Sequence, residues 1–178
     1  MGLRIQQLSA LVANQIAAGE VVERPASVVK ELLENALDSG ATSIAIDIGF
    51  GGLNQIKISD NGSGIIAEDL PLAIAAHATS KISELDDLYA ITSMGFRGEA
   101  LASIAAMSRL AIISKPAEQD HGMMLRVAGG AAPSITPCAR SQGTTVEVMD
   151  LFFNAPVRKK FLKSPRTEYL AIELVVKR

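Results

Sequence analysis

Val29, Leu32, Leu33, Ala36 and Leu37 recur at the i, i+3, i+4, i+7, i+8 spacing that gives a helix one buried face. Pro25 suits the first turn of that helix because its φ is already helical, and Gly40 stands where a left-handed cap ends it. The pattern then changes to period two. SIAIDI (residues 43–48) and QIKIS (residues 55–59) each set isoleucines on one face, and the glycine-rich turn over 49–52 predicts a hairpin. Strands are expected over 109–114, 123–128 and 144–150. Helices are expected over 69–76, 85–91 and 99–107, with a loop over 93–98 and a basic helical stretch over 157–178 broken at Pro165. The first 24 residues read as an irregular arm, and no internal repeat or low-complexity tract interrupts the chain.

Composition narrows the class. At 178 residues, 48% hydrophobic and 20% charged, the chain has the profile of one soluble globular domain. A net charge of −2 gives no global electrostatic case for nucleic-acid binding. The stretch 151–178 is a local exception, with seven basic residues against Glu168 and Glu173, a charge of +5 that also fits a solvated helix face. Cys138 is alone and His77 and His121 are far apart, so neither a disulfide framework nor a zinc site is indicated. No apolar run reaches the ~20 residues of a membrane span, and residues 1–7 lack the plan of a secretory signal. The default compartment is the cytoplasm. The chain ends on VVKR without a helix cap, as a fragment would.

Four places carry candidate chemistry. On the polar flank of the first helix, Glu31, Asn35 and Asp38 fall within about 60° of one another. A solvent-facing helix gives that pattern too. The chemical reading needs a carboxylate to polarise water and a neutral oxygen one turn away for a hard cation, and Glu31 and Asn35 supply these. DNGSG (residues 60–64) follows a strand of isoleucines and makes a good turn, since Gly62 and Gly64 accept positive φ. It also suits a flat ring, with Asp60 accepting from an exocyclic amine while the glycines let the ring approach the backbone. GFRGEAL (residues 95–101) opens glycines onto a predicted helix, where unpaired N–H groups favour phosphate, although any loop before a helix looks similar. Upstream, HATSK (residues 77–81) adds small hydroxyls and a cation. GTT (residues 143–145) begins a strand and fits a plain turn equally well. No GxxxxGK[ST] occurs, which excludes a P-loop, and no GxGxxG supports a Rossmann site.

Taken in order, these places resemble the four motifs of the ATPase superfamily that joins gyrase B, the heat-shock chaperone, histidine kinases and MutL. Those motifs are a helix with ExxxN, then DxGxG, a glycine-bearing lid, and GT. NQIAAGEVVERP (residues 14–25), HATSKI (residues 77–82), GFRGEAL (residues 95–101) and NAPVRKKF (residues 154–161) look like the MutL branch. The resemblance runs from Ile5 to the end, and the MGFRG lid (residues 94–98) argues against a histidine kinase.

The resemblance implies a Bergerat-type α/β sandwich (α+β), a mixed, mostly antiparallel sheet with helices on one face. Residues 1–178 would be an amino-terminal ATP-binding domain, without the second, transducer domain that supplies a lysine to the γ-phosphate and without the carboxy-terminal dimerisation domain. It further implies a Mg²⁺-dependent ATPase, very slow as an isolated fragment. Glu31 would be the general base and Asn35 the Mg²⁺ ligand, with Asp38 also on the nucleotide. Asp60 would hold the adenine amine, with Gly64 nearby and Thr145 beside it. Thr79, Ser80, Lys81, Gly95, Phe96, Arg97, Gly98, Glu99, Ala100 and Leu101 would form the lid around the phosphates. The implied partners are a mismatch-recognition protein, a downstream nuclease or helicase, a second copy on ATP binding, and DNA through the basic stretch. No membrane is implied.

Overall fold

A computed structural model describes residues 24–74, 100–129 and 131–177. The first helix, α1 (Pro25–Asp38), starts on Pro25 as expected. It ends in a Schellman arrangement, with the N–H of Gly40 (φ 78°) donating to Leu37 O at 3.1 Å and that of Ala41 to Ala36 O at 3.4 Å. Val28, Val29, Leu32 and Ala36 form its buried face. Leu37, expected on that face, is 63% exposed. At 3.6 residues per turn, the i+8 position has drifted off a stripe centred on Val28, Leu32 and Ala36.

Strands β1 (Ile44–Gly49) and β2 (Gln55–Asp60) form the expected hairpin, pairing Ile46 with Ile58 and Ile48 with Ile56. A 3-10 turn, Phe50–Gly52, joins them. After the short helix α2 (Leu70–Ala73) and helix α3 (Ala100–Ala106) come β3 (Arg109–Lys115), β4 (Gly122–Ala128), β5 (Ser134–Cys138) and β6 (Gly143–Met149). The six strands make one sheet in the order β1-β2-β6-β3-β4-β5, and all five pairings are antiparallel. Strand β5 was not expected. It contains Pro137, tolerated because β5 lies at the sheet edge, where a missing N–H breaks no second ladder.

The basic stretch folds as α4 (Pro156–Lys160) and α5 (Pro165–Val176), with the break just ahead of Pro165. Ser164 caps α5, its Oγ accepting from Thr167 N at 3.3 Å. The core lies between the helices and one sheet face, where Val28, Val29 and Leu32 of α1 meet Ile56, Ile58, Ile112, Leu125 and Val148. Three elements meet tightly at the start of α1. A Cβ on Gly51 (φ 66°) would come within 2.5 Å of Pro165 O, and one on Gly52 (φ 93°) within 2.6 Å of Pro25 Cβ. Only glycine fits either place.

Residues 1–23 of the expected 24-residue arm, the expected helix over 85–91 and the loop over 93–98 lie outside the described residues.

Candidate functional site

The sheet's alternation decides which side chains can share a site. Ile56, Ile58 and Asp60 have one parity along β2, opposite Val148, Val146 and Thr144 of β6. Asp60 and Thr144 therefore look to the helix-covered face, at the end of the sheet. Ser114 joins them from β3, where it pairs with Thr144.

The Asp60 carboxylate is held by two backbone N–H groups. Its Oδ1 accepts from the N–H of Gly62 at 2.8 Å and from that of Thr144 at 3.2 Å. Both bonds fall on Oδ1 and leave Oδ2 outside them. Ser114, fully buried, gathers the surrounding chain. Its Oγ accepts from Ile65 N at 2.7 Å, lies 2.7 Å from Thr144 Oγ1 and 3.2 Å from Gly143 O.

Glycines allow this convergence. A Cβ on Gly62 would overlap Ser39 Oγ, one on Gly64 (φ 78°) would stand 2.5 Å from Lys115 O, and one on Gly143 (φ 132°) would overlap Asp60 O. Gly62 and Gly64 were expected to leave room for a ring, and Gly143 to fit a turn. In the structure each one admits a neighbouring part of the protein itself.

The Asp60 loop is also tied to the helix that carries the other candidates. Ser63 N donates to Ser39 O at 3.0 Å, just past the end of α1. Asn61 Oδ1 accepts from Thr42 N at 2.8 Å and Ser43 N at 3.0 Å, while Asn61 Nδ2 donates to Thr42 Oγ1 at 2.8 Å. Glu31 and Asn35, both half-buried, and the exposed Asp38 stand along one flank of α1, leading towards this junction. The carboxylate–amide helix and the Asp60 loop thus form one unit. It carries two carboxylates and an amide oxygen, the donor types that proton transfer from water, a hard cation and an amine-bearing ring call for.

Thr145, expected beside the Asp60 carboxylate, sits on the opposite sheet face. Its Oγ1 is 3.0 Å from Ser59 Oγ and accepts from Arg140 Nη2 at 2.9 Å. Thr144 is the residue on Asp60's face. The sequence held the signal, because Thr144 shares parity with the core valines Val146 and Val148. Ser114 gave no such sign, being one hydroxyl among many. Arg140 was missed as well. Burial lowers its guanidinium from the ordinary arginine value, while the charges of Asp60 and Cys138 act the other way.

Of the expected lid, Thr79, Ser80, Lys81, Gly95, Phe96, Arg97, Gly98 and Glu99 lie outside the described residues, while Ala100 and Leu101 open α3. Among the described residues no group of three His, Cys, Asp or Glu is gathered to hold a metal. Nor is any helix among them long and apolar enough to cross a membrane.

Residues 23–129 match the sequence model of the histidine kinase-, DNA gyrase B- and HSP90-like ATPase family. The DNA mismatch repair protein MutL of Xanthomonas campestris pv. campestris is 56% identical over 171 residues, covering 96% of this chain and 27% of that protein. MutL of Pseudomonas fluorescens is 54% identical over 178 residues, covering 99% of this chain and 28% of that protein. The chain thus spans little more than a quarter of these relatives. Among solved structures, the Aquifex aeolicus MutL ATPase domain complexed with ADP superposes with a TM-score of 0.70 at 33% identity, covering 88% of this chain and 55% of that one. The N-terminal domain of a DNA repair protein superposes with a TM-score of 0.78 at 33% identity, covering 96% of this chain and 50% of that one.

Proposed function

The chain belongs to the histidine kinase-, DNA gyrase B- and HSP90-like ATPase family, and from that premise we propose that it is the ATP-binding and ATP-hydrolysing domain of a MutL-type mismatch-repair protein. The observation that supports the reading is Asp60, whose Oδ1 is fixed by two backbone N–H groups, leaving Oδ2 for a ligand. Asp60 accepts from the adenine amine, with Thr144 and Gly64 beside it. Glu31 takes the proton of the attacking water, and Asp38 extends the polar flank towards the nucleotide. Residues 79–81 and 95–101 close around the phosphates.

Magnesium fits this donor set in a limited way. Mg²⁺ takes few protein ligands and shares its shell with phosphates and water, so the Asn35 amide oxygen is a suitable single protein contact. When bound, the ion neutralises phosphate charge. Asn35→Ala weakens metal-dependent nucleotide binding, and unchanged affinity in the presence of the metal contradicts the assignment.

Base selectivity tests the Asp60 assignment. Guanine presents a carbonyl where adenine presents an amine, so the carboxylate would face an acceptor and lose its partner. ATP is expected to bind at least about tenfold tighter than GTP, since an unsatisfied charged group costs roughly 1–3 kcal/mol or more. Equal affinities in a competition titration would remove Asp60 from that role.

In the longer protein, this domain serves as an ATP-gated matchmaker, closing with a second copy and relaying mismatch recognition to a downstream nuclease or helicase in the cytoplasm. DNA contact is assigned to the basic stretch. Glu168 of that stretch is buried and Lys177 pairs with Glu173 at 2.7 Å, so the exposed positive charge concentrates on Lys159, Lys160, Lys163 and Arg166, near Arg158. If Lys159 and Lys160 touch phosphates, reversing both charges reduces the slope of log affinity against log salt by about two. A slope that does not move returns these residues to a solvated face.

A further inference from the structure

Arg140 lies on the face of the sheet away from the Asp60 carboxylate, yet it is bonded to the backbone of Asp60. One nitrogen, Nη2, donates both to Asp60 O at 3.2 Å and to Thr145 Oγ1 at 2.9 Å, while Nη1 donates to Ser141 O at 2.8 Å. Gln142 continues the same segment, its Nε2 donating to Gly62 O at 3.1 Å. Gly143 closes it, with its missing Cβ making room for Asp60 O. Residues 140–143 therefore grip the Asp60–Gly62 turn from behind. Asp60 ends β2, where the ladder no longer holds the following peptide. Because Asp60 Oδ1 accepts from the Gly62 N–H, a shift of that turn carries the carboxylate with it.

We propose that Arg140 is a positioning residue for base recognition, pinning the Asp60 carbonyl and Thr145 so that Asp60 Oδ2 meets the purine amine in register. The proposal rests on the reading of Asp60 as the adenine acceptor. A planar guanidinium suits the task because its donors are fixed in direction, whereas a lysine brings one flexible point charge.

The test compares ATP with inosine triphosphate, which carries a carbonyl in place of the amine, by titration against the 178-residue chain. Arg140→Met is expected to lower the ATP-to-ITP affinity ratio by about three- to tenfold, the worth of one hydrogen bond, through weaker ATP binding with ITP affinity unchanged. Arg140→Lys recovers part of the ratio. Thr145→Val, which removes one acceptor while keeping the side-chain shape, gives a smaller fall in the same ratio and serves as the test if Arg140→Met does not fold. Asp60→Asn abolishes the preference, and Arg140→Met added to it changes nothing further. A purely structural role for Arg140 would weaken both nucleotides equally, and that result, or an unchanged ratio, overturns the proposal. Should Asp60→Asn keep the wild-type preference, the adenine reading itself fails and the Arg140 proposal falls with it.

Discussion

Replacing Glu31 with alanine in a protein extended through the second domain is expected to slow ATP hydrolysis by ~10²-fold or more while leaving nucleotide binding largely intact, the usual worth of a positioned general base. That loss corresponds to about 2.7 kcal/mol of transition-state stabilisation. The reasoning starts from α1. Its buried face is complete without Glu31, since Val28, Val29, Leu32 and Ala36 supply the packing. Glu31 is half-buried on the flank shared with Asn35, and on the proposed reading its carboxylate takes the proton of the attacking water. Binding is expected to survive because the proposed acceptor for the base, Asp60, lies on a separate element with its own hydrogen bonds. Glu31→Gln makes the sharper comparison, keeping shape and removing only basicity. Steady-state turnover measured beside ATP affinity decides the matter. Near-normal turnover in both variants removes Glu31 from the role. Tight ATP binding without measurable turnover in the unaltered protein extended through the second domain would favour a nucleotide-gated interaction module over an enzyme.

Much of the fold was legible where packing sets the residue pattern. The apolar stripe of α1, the alternating isoleucines of β1 and β2 and the valines of β6 are consequences of burial on one face, and burial leaves a period. Strand β5 has no such period. Four of its five residues are exposed and one is proline, so nothing in its hydropathy separates it from a loop. Its existence depends on β4 offering an edge, which is a tertiary fact. The candidate site divides in the same way. Asp60 with its glycines was readable, because close backbone approach demands particular residues. The choice between Thr144 and Thr145 follows from strand parity, and the motif alone did not settle it. Ser114 and Arg140 act through contacts spanning tens of residues, which no local pattern records. Glu168 reads as part of a charged surface helix and is instead 1% exposed.

That buried carboxylate carries a large expected stability effect. Glu168 Oε1 accepts from Arg24 Nε at 2.9 Å, and Oε2 accepts from the Lys163 N–H at 2.7 Å. Arg24 directly precedes α1, and Glu168 lies in the first turn of α5, so the pair joins the two helices where Gly51 and Gly52 press against Pro165 and Pro25. Removing Arg24 leaves a carboxylate charge buried with a single backbone donor. Breaking a buried pair in this way costs about 3–5 kcal/mol, and the lower end applies because the Arg24 side chain is itself 38% exposed. For a chain of this length Arg24→Ala should therefore lower Tm by roughly 6–12 °C. Adding Glu168→Gln to Arg24→Ala removes the stranded charge while keeping an acceptor for Lys163 N. The double variant should thus be less destabilised than the sum of the two single changes. Thermal unfolding followed by circular dichroism measures all three. If Arg24→Ala shifts the midpoint by no more than an exposed ion pair would, about 1 kcal/mol or less, then water reaches Glu168 in solution and the pair does not clamp α1 to α5.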